Sequence, residues 1–410
     1  MARQVTQSAQ PAPENNELRE ETNLTRLAML KRLRDGKSVA VGSRNEKAVA
    51  ERFIEDHERL RAFQGVLYRF DPAKNHYVEI REPLLVLREF VQELYTQQVG
   101  FVQGLPECAG FEDQIVPRNI TENWLREVEA SLRTIVKVPP DMHPPCWLAT
   151  EEEFVYFGDG EGDFFERPLV DPKRTFIAAK NRLIDVDEFV KSGRAVAPDE
   201  KDEEWFSLTR LPHKYREGAT CPTWLAFLDE VLEGDEERIA LLQEWIGHLL
   251  VADTSFQKFL MLEGEGANGK SVIVDVMTGL LGTDAVSTIS LMGFASRFDK
   301  IKTFGKLLNV CAESSELSDR VEDQLKAYVG GDLVSTDVKH RDIFQFRPTA
   351  RIVITTNNRP KVADETQGFW RRMLLLPFKV SIPPERQNRL LAKELLAKEG
   401  EGILVWALAG

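Results

Sequence analysis

Residues 264–271 read Gly264-Glu265-Gly266-Ala267-Asn268-Gly269-Lys270-Ser271, and the segments on either side constrain the fold as much as the motif does. Phe259-Leu260-Met261-Leu262 before it is a short apolar run of the buried-strand type. Val272-Ile273-Val274-Asp275-Val276-Met277 after it reads as a helix that ends near Gly279 and Gly282. A strand, a glycine-rich turn matching GxxxxGKS and a helix, in that order, place the chain among α/β folds with a P-loop. Glycines let backbone N–H groups converge on phosphate oxygens, and the helix N-terminus adds its positive end. Lys270 is then positioned to reach β- and γ-phosphates, and the Ser271 hydroxyl to ligate Mg²⁺. ATP and Mg²⁺ are the expected cofactors, with residues 264–271 as the nucleotide-binding set.

Such a loop needs a carboxylate at the end of a neighbouring strand. Leu307-Leu308-Asn309-Val310-Cys311-Ala312 runs into Glu313-Ser314-Ser315-Glu316. Glu313 comes first and is the expected metal-side acid beside Ser271, because ligands of open α/β sheets bind outside the carboxyl ends of the strands. Glu316 reads either as a water-polarising base or as a carboxylate at a helix start. A third strand, Arg351–Thr356, ends in Asn357, whose amide can touch a γ-phosphate or simply favour the turn. Arg371 and Arg372 precede a fourth strand, Met373–Phe378, and read as surface charge or as groups offered to a neighbouring subunit's ATP. Val334–Phe346 reads as two short strands around a charged tip, Lys339-His340-Arg341, or as an exposed basic turn. Arg297, Lys300, Lys302 and Lys306 form either a second basic strip or a solvated face.

Upstream of the loop, residues 1–23 are rich in Gln, Asn, Glu and Pro and are expected to be a disordered tail. Residues 24–145 form an N-terminal α+β accessory region of unknown role: a basic amphipathic helix over Leu24–Lys37, a short hairpin, then a helix starting at Pro83. Four prolines between Val138 and Pro145 mark a boundary. Residues 146–252 are a mixed, mainly helical domain, and 253–410 the ATPase domain. Ile184-Asp185-Val186-Asp187 resembles the paired metal-binding aspartates of a polymerase strand, although a solvated hairpin fits it better. His143-x-x-Cys146 lacks the second ligand pair that structural zinc requires.

The composition sets limits. With 53 Lys+Arg against 66 Asp+Glu, the net charge of −13 opposes a nucleic-acid-binding surface spread over the whole body. The four cysteines form no CxxC pair and suit a reducing cytoplasm. No apolar run approaches the ~18 residues of a membrane span, so no membrane partner is expected.

Taken in order, GEGANGKS, LLNVCAESSE, LKAYVGGD, VKHRDIFQF, ITTNNRP and GFWRRMLLLPF resemble a superfamily 3 helicase of the phage, plasmid and poxvirus primase–helicase type. The resemblance spans about residues 170–380, including the helical lead-in before the loop. It implies an AAA+-like P-loop core that assembles as a ring, usually a hexamer, translocates on single-stranded or forked DNA and unwinds duplex. Lys270 and Ser271 then match the phosphate and Mg²⁺ ligands, Glu313 the Walker B acid and Asn357 the sensor amide. Arg372, with Arg371 beside it, matches the trans-acting arginine. Lys339-His340 resembles the basic pair on a channel-lining hairpin.

The sequence departs from the family pattern in three respects. Glu313 stands where an adjacent acidic pair is usual, which leaves the water-activating base open between Glu313 and Glu316. No primase domain is evident, so a primase or polymerase is expected in cis or in trans. The chain also stops in the apolar run Ile403–Ala409, where family members continue, which reads as a short protein or as a fragment. The expected function is an ATP-dependent helicase of a phage or mobile replicon, working in the host cytoplasm. The alternative is an ATP-gated ring, a replication initiator or defence assembly, that clamps DNA without unwinding it.

Overall fold

The computed structural model describes residues 46–57, 59–102, 120–139, 142–148, 175–195, 205–311, 316–317, 319–337, 343–357, 361–362 and 367–410. The expected tail and the Leu24–Lys37 helix lie outside the described residues. The chain divides into two compact units, residues 1–69 with 79–138, and residues 70–78 with 139–410.

The first unit is α+β. Helix α1 (Glu46–Asp56) precedes the antiparallel strands β1 (Leu60–Phe63) and β2 (Val66–Asp71), while β3 (His76–Glu79) lies almost wholly in the 70–78 segment of the second unit. Helices α2 (Pro83–Val102) and α3 (Glu122–Ile135) follow. Pro83 occupies the first turn of α2, where its missing N–H has no cost. Thr121 caps α3 by accepting from the Trp124 N–H at 3.3 Å. Leu125, Val128 and Leu132 recur at helical spacing on α3 and meet Val49, Phe53, Leu87 and Val91 in a closed apolar core. Beyond α3, Val138 N–H donates to the Ala62 carbonyl and Ala62 N–H to Val136, each at 2.8 Å, so the segment lies along β1.

The second unit opens with two small antiparallel ladders. Strands β4 (Cys146–Trp147) and β7 (Trp205–Phe206) form one, and β5 (Phe176–Ala179) and β6 (Arg182–Asp185) the other. Trp147, Phe176 and Trp205 meet with ring centroids 5.4 Å apart. Asp185 ends β6, is buried, and caps helix α4 (Val186–Ser192) by accepting from Glu188 N–H at 3.1 Å. Asp187 is already in the first turn of α4. The Ile184–Asp187 segment is therefore a hairpin strand followed by a helix cap, and its two aspartates do not share a strand face. Burial pushes the Cys146 thiol up to about 12.

Two helices, α5 (Pro222–Val231) and α6 (Glu236–Leu249), lead into the central sheet. The following elements are β8 (Phe259–Glu263), α7 (Lys270–Leu281), β9 (Val286–Ser287), β10 (Leu308–Cys311), β11 (Glu316–Leu317), α8 (Asp319–Val329), β12 (Val334–Thr336), β13 (Phe344–Phe346), β14 (Arg351–Thr356), β15 (Lys361–Val362), α9 (Gln367–Trp370), β16 (Met373–Pro377) and α10 (Leu391–Leu408). Strands β16, β8, β14, β10 and β9, in that spatial order, form one fully parallel sheet. β8 is the first of these in sequence yet sits between the last two, β14 and β16. The switch of strand order therefore falls beside β8, and the crevice it creates opens at the carboxyl ends.

The core joins this sheet to the helices. Leu260, Leu262, Val353 and Leu376 of the sheet, Ile273 and Met277 of α7, Trp224 and Leu228 of α5, Trp245 and Leu249 of α6, and Leu404 of α10 are buried in one cluster. Two polar contacts fix the helices around it. Cys221 offers α5 no side-chain cap, and Glu399 of α10 supplies one from across the core. It accepts from the Thr223 N–H and Trp224 N–H, each at 3.0 Å, and from the Thr223 hydroxyl at 2.5 Å. Arg351, 2% exposed at the start of β14, donates to the His248 and Val251 carbonyls at the end of α6 and to Thr349 at 3.0 Å. Burial lowers its guanidinium to about 9, so it remains a cation at neutral pH. Replacing it with Met removes the donor to the Val251 and Thr349 carbonyls, at about 1–3 kcal/mol each, whereas the His248 carbonyl keeps the Leu250 and Val251 N–H groups. Arg351→Met is expected to lower the urea midpoint of the second unit markedly, and an unchanged midpoint contradicts this role.

His248 gives a pH signature. Burial, with Arg351 adding to it, lowers its imidazole from 6.5 to about 4. Between those values the unfolded chain binds the proton and the folded chain does not. The contribution of His248 to stability is thus fully present above pH 6.5 and is lost as pH falls towards 4. His248→Gln is expected to flatten the fall of the urea midpoint between pH 7 and pH 5 relative to wild type, and an identical slope contradicts the assignment.

Candidate nucleotide site at the carboxyl edge of the sheet

The loop between β8 and α7 is held at three points. Gly264 N–H donates to the Thr356 carbonyl at the end of β14 at 3.1 Å. On one flank the chain after β16 crosses it, with Phe378 N–H donating to Glu263 and Ile382 N–H to Ala267, both at 2.7 Å. On the other flank α5 presses against it. A Cβ added at Gly269 would lie 2.9 Å from Val231 Cγ1 and 3.0 Å from the Phe227 ring.

Inside the loop, the Lys270 ammonium donates to the Gly264 carbonyl, and to the Glu265 carbonyl and Asn268 Oδ1 at 3.0 Å each. Asn268 in turn donates to the Glu265 carbonyl. Lys270 is only 8% exposed, so its charge is held by loop acceptors that an entering anion can replace. Gly269 adopts φ +89° as it turns into α7, and the first N–H groups of α7 have no acceptor within the helix. Ser271 is exposed at that N-terminus.

These residues border a cleft of about 520 Å³. One wall comes from the loop and Ser271, a second from Thr355 and Thr356 of β14 with Asn357 just after it, and a third from Phe227 and Glu230 of α5. The segment Ile382–Leu391 closes the fourth side with Arg386 and Arg389. Among the lining residues three cations, Lys270, Arg386 and Arg389, face one carboxylate, Glu230. That is a local positive region on a chain of charge −13, and anion binding depends on the local value. Among the described residues no group of three or more His, Cys, Asp or Glu could hold a metal ion.

Of the expected site residues, Gly266, Ala267, Asn268, Gly269, Lys270, Ser271 and Asn357 line the cleft together, and Gly264 and Glu265 shape it through their carbonyls. Glu313 lies outside the described residues, and β10, which leads towards it, ends at Cys311 on this same edge. Buried Asn309 anchors β10, donating to the Ile289 carbonyl at 3.0 Å and accepting from Ile289 N–H at 2.9 Å and the Ser287 hydroxyl at 2.8 Å. Glu316 belongs to β11, paired with Lys361 of β15, and α8 begins only at Asp319. Its backbone is thus in a strand and not at a helix start.

Arg371 and Arg372 lie elsewhere. They precede β16 at the amino edge, where Phe259 N–H donates to the Arg372 carbonyl at 2.9 Å. A five-residue strand separates that edge from the cleft, about 16 Å at 3.3 Å per residue. Arg372 donates to the Gly368 carbonyl at 2.6 Å, and Arg371 is exposed.

Lys339, His340 and Arg341 lie outside the described residues. The antiparallel strands β12 and β13 that flank them are rooted in an aromatic cluster, with Phe304 at 4.9 Å from Phe344 and 5.5 Å from Phe346. The four basic residues before this hairpin are engaged locally. Arg297 pairs with Asp337 and Lys302 with Asp299, while Lys300 donates to Gln324 and Lys306 to the Asp284 carbonyl.

Sequence reading missed Phe227, Glu230, Arg386 and Arg389. The signal for the arginines was present: a segment that leaves β16 at its carboxyl end must start on the edge where the loop starts.

Comparison with known proteins places residues 262–372 in a match to a family of unknown function, DUF5906. Over 137 residues the chain is 23% identical to “Putative helicase L207/L206” of Acanthamoeba polyphaga mimivirus, covering 32% of this chain and 14% of that protein. Over 97 residues it is 31% identical to ymf21, an uncharacterised mitochondrial protein of Marchantia polymorpha, covering 23% of this chain and 53% of that protein. The matches thus span about half or less of these relatives. Two apo structures of the NrS-1 C-terminal region align with TM-scores of 0.47 and 0.48, at 11% and 13% identity. They cover 88% and 90% of this chain, and 68% and 70% of those chains.

The loop geometry separates two glycines. A Cβ at Gly264 would meet the Phe378 carbonyl oxygen at 2.4 Å, whereas one at Gly266 meets nothing within 4 Å. Gly264→Ala is expected to destabilise by about 1–3 kcal/mol, and Gly266→Ala to leave the urea midpoint unchanged. Equal effects contradict the clamped loop.

Proposed function

We propose that this chain is an ATP-dependent DNA helicase of a phage or mobile replicon, assembled as a ring on a P-loop, AAA+-like core of the superfamily 3 type. The observation that carries the reading is the carboxyl-edge cleft, in which GxxxxGKS and Asn357 meet beside the switch in strand order. The similarity to a viral protein named as a helicase supports the same direction.

The residues present fit a nucleoside triphosphate with Mg²⁺. Lys270 exchanges its loop carbonyls for β- and γ-phosphate oxygens, and the N–H groups at the start of α7, which have no acceptor within the helix, serve the same anion. Ser271 would hold Mg²⁺ together with Glu313, and the bound ion supplies neutralisation of charge on the phosphates. Asn357, one residue beyond the Thr356 carbonyl that ties the loop, orients what lies against the γ-phosphate. Glu313 and Glu316 are the two carboxylates from which the proton acceptor for water is drawn.

Arg371 and Arg372 sit a strand length from the cleft of their own chain, so in this account they act on a neighbouring subunit's nucleotide. A ring, taken as a hexamer, satisfies that geometry. It also accommodates the net charge, since positive residues are needed only at the channel, where Lys339, His340 and Arg341 would grip single-stranded DNA.

Purified protein is expected to hydrolyse ATP faster with single-stranded DNA and to displace a strand from a fork. Lys270→Ala abolishes both activities. Lys339→Ala is expected to stop unwinding while leaving ATPase without DNA largely intact. DNA-stimulated ATPase without strand displacement points to a DNA clamp instead. No ATPase under assembly conditions, with Lys270→Ala indistinguishable from wild type, removes the reading.

A further inference from the structure

The cleft carries two arginines that the phosphate loop does not use. Arg386 and Arg389 follow a strand end that already crosses the loop, through the Ile382 N–H to Ala267 bond at 2.7 Å. Arg386 Nη2 lies 2.6 Å from Glu230 Oε1, a carboxylate on α5 that also lines the cleft, with both side chains well exposed. Arg389 is exposed and has no hydrogen bond or ion pair among the described residues. The neighbouring amides are committed locally, Gln387 to the Ile382 carbonyl at 2.8 Å and Asn388 to Glu394 at 3.2 Å.

We propose that Arg386 and Arg389 are a same-chain cation pair for the polyphosphate of the nucleotide, and that Glu230 holds Arg386 until the nucleotide displaces it. This rests on the reading of the cleft as a nucleoside triphosphate site. The Glu230–Arg386 pair sits in the cleft lining, and an exposed ion pair contributes little to stability, so exchanging it costs little. A triphosphate offers several oxygens and more negative charge than one carboxylate, and bidentate contact suits a guanidinium. Glu230 is then a competitor for Arg386 rather than a support for it.

Glu230→Gln and Arg386→Gln break the same ion pair but have opposite consequences here. Binding is read by titrating the full chain with N-methylanthraniloyl-ATP and Mg²⁺. Glu230→Gln is expected to tighten binding about two- to fivefold, while Arg386→Gln and Arg389→Gln each weaken it about three- to tenfold. The double variant Glu230→Gln/Arg386→Gln follows Arg386→Gln. The penalty shrinks as ionic strength rises from about 0.05 to 0.5 M, since it is a charge interaction at an exposed site. Urea midpoints of the single variants stay at the wild-type value, which excludes misfolding as the cause.

Equal shifts in the same direction for Glu230→Gln and Arg386→Gln, or no shift in either, overturn the proposal while leaving nucleotide binding by Lys270 standing. Wild-type protein that fails to bind the probe, with Lys270→Ala no different, removes the underlying site and this inference with it.

Discussion

The hydrogen bond from Gly264 N–H to the Thr356 carbonyl decides where everything else in the cleft stands. It makes the first residue of the loop a continuation of the β8–β14 ladder, in which Glu263 pairs with Thr356. The loop consequently leaves the sheet in one direction only, and Asn357 leaves β14 beside it. Only glycine fits at position 264, because the carbonyl of Phe378 occupies the space a Cβ would need. Strand pairing, a close backbone approach and the start of α7 are thus one constraint expressed at three levels.

Positioning extends from this point into the helices. Glu399 of α10 caps α5, and α5 brings Val231 and Phe227 against Gly269. Arg351 fastens the last carbonyls of α6 to the beginning of β14, the strand whose far end carries Asn357. Two charged side chains buried or half-buried against backbone groups thereby couple the helices before the sheet to both ends of the site. Each satisfies groups at a helix terminus, where backbone N–H or C=O is otherwise unpaired. The cleft is shaped by contacts far apart in sequence.

That distance explains what the sequence made legible. The strands 259–263, 351–356 and 373–377 were readable because each contains an unbroken apolar run, Phe259–Leu262, Ile352–Ile354 and Met373–Leu376. The loop was readable because its chemistry admits few residue types. Glu230 was not, since a solvent-facing glutamate on an amphipathic helix looks the same whether or not it faces an arginine from residue 386. Arg351 resembled an ordinary strand-start charge, and only tertiary structure reveals that it is buried. Asp185 looked like a strand carboxylate and became a helix cap, because β6 ends at that residue and α4 starts with the next. Glu316 reads as a water-polarising base or a helix-start carboxylate, and a two-residue pairing with β15 places its backbone in a strand.

The central claim is that one cleft at the carboxyl edge binds a nucleoside triphosphate and drives a ring on DNA. The most direct test is an electron cryomicroscopy structure of the protein with Mg²⁺, a non-hydrolysable ATP analogue and single-stranded DNA. The account predicts a closed ring with the triphosphate in the 264–271 loop, within reach of Asn357, Arg386 and Arg389 of the same subunit and of Arg371 or Arg372 of the next. It predicts the DNA strand against residues 339–341. Nucleotide bound elsewhere, or a monomer with this cleft empty at saturating analogue, contradicts it.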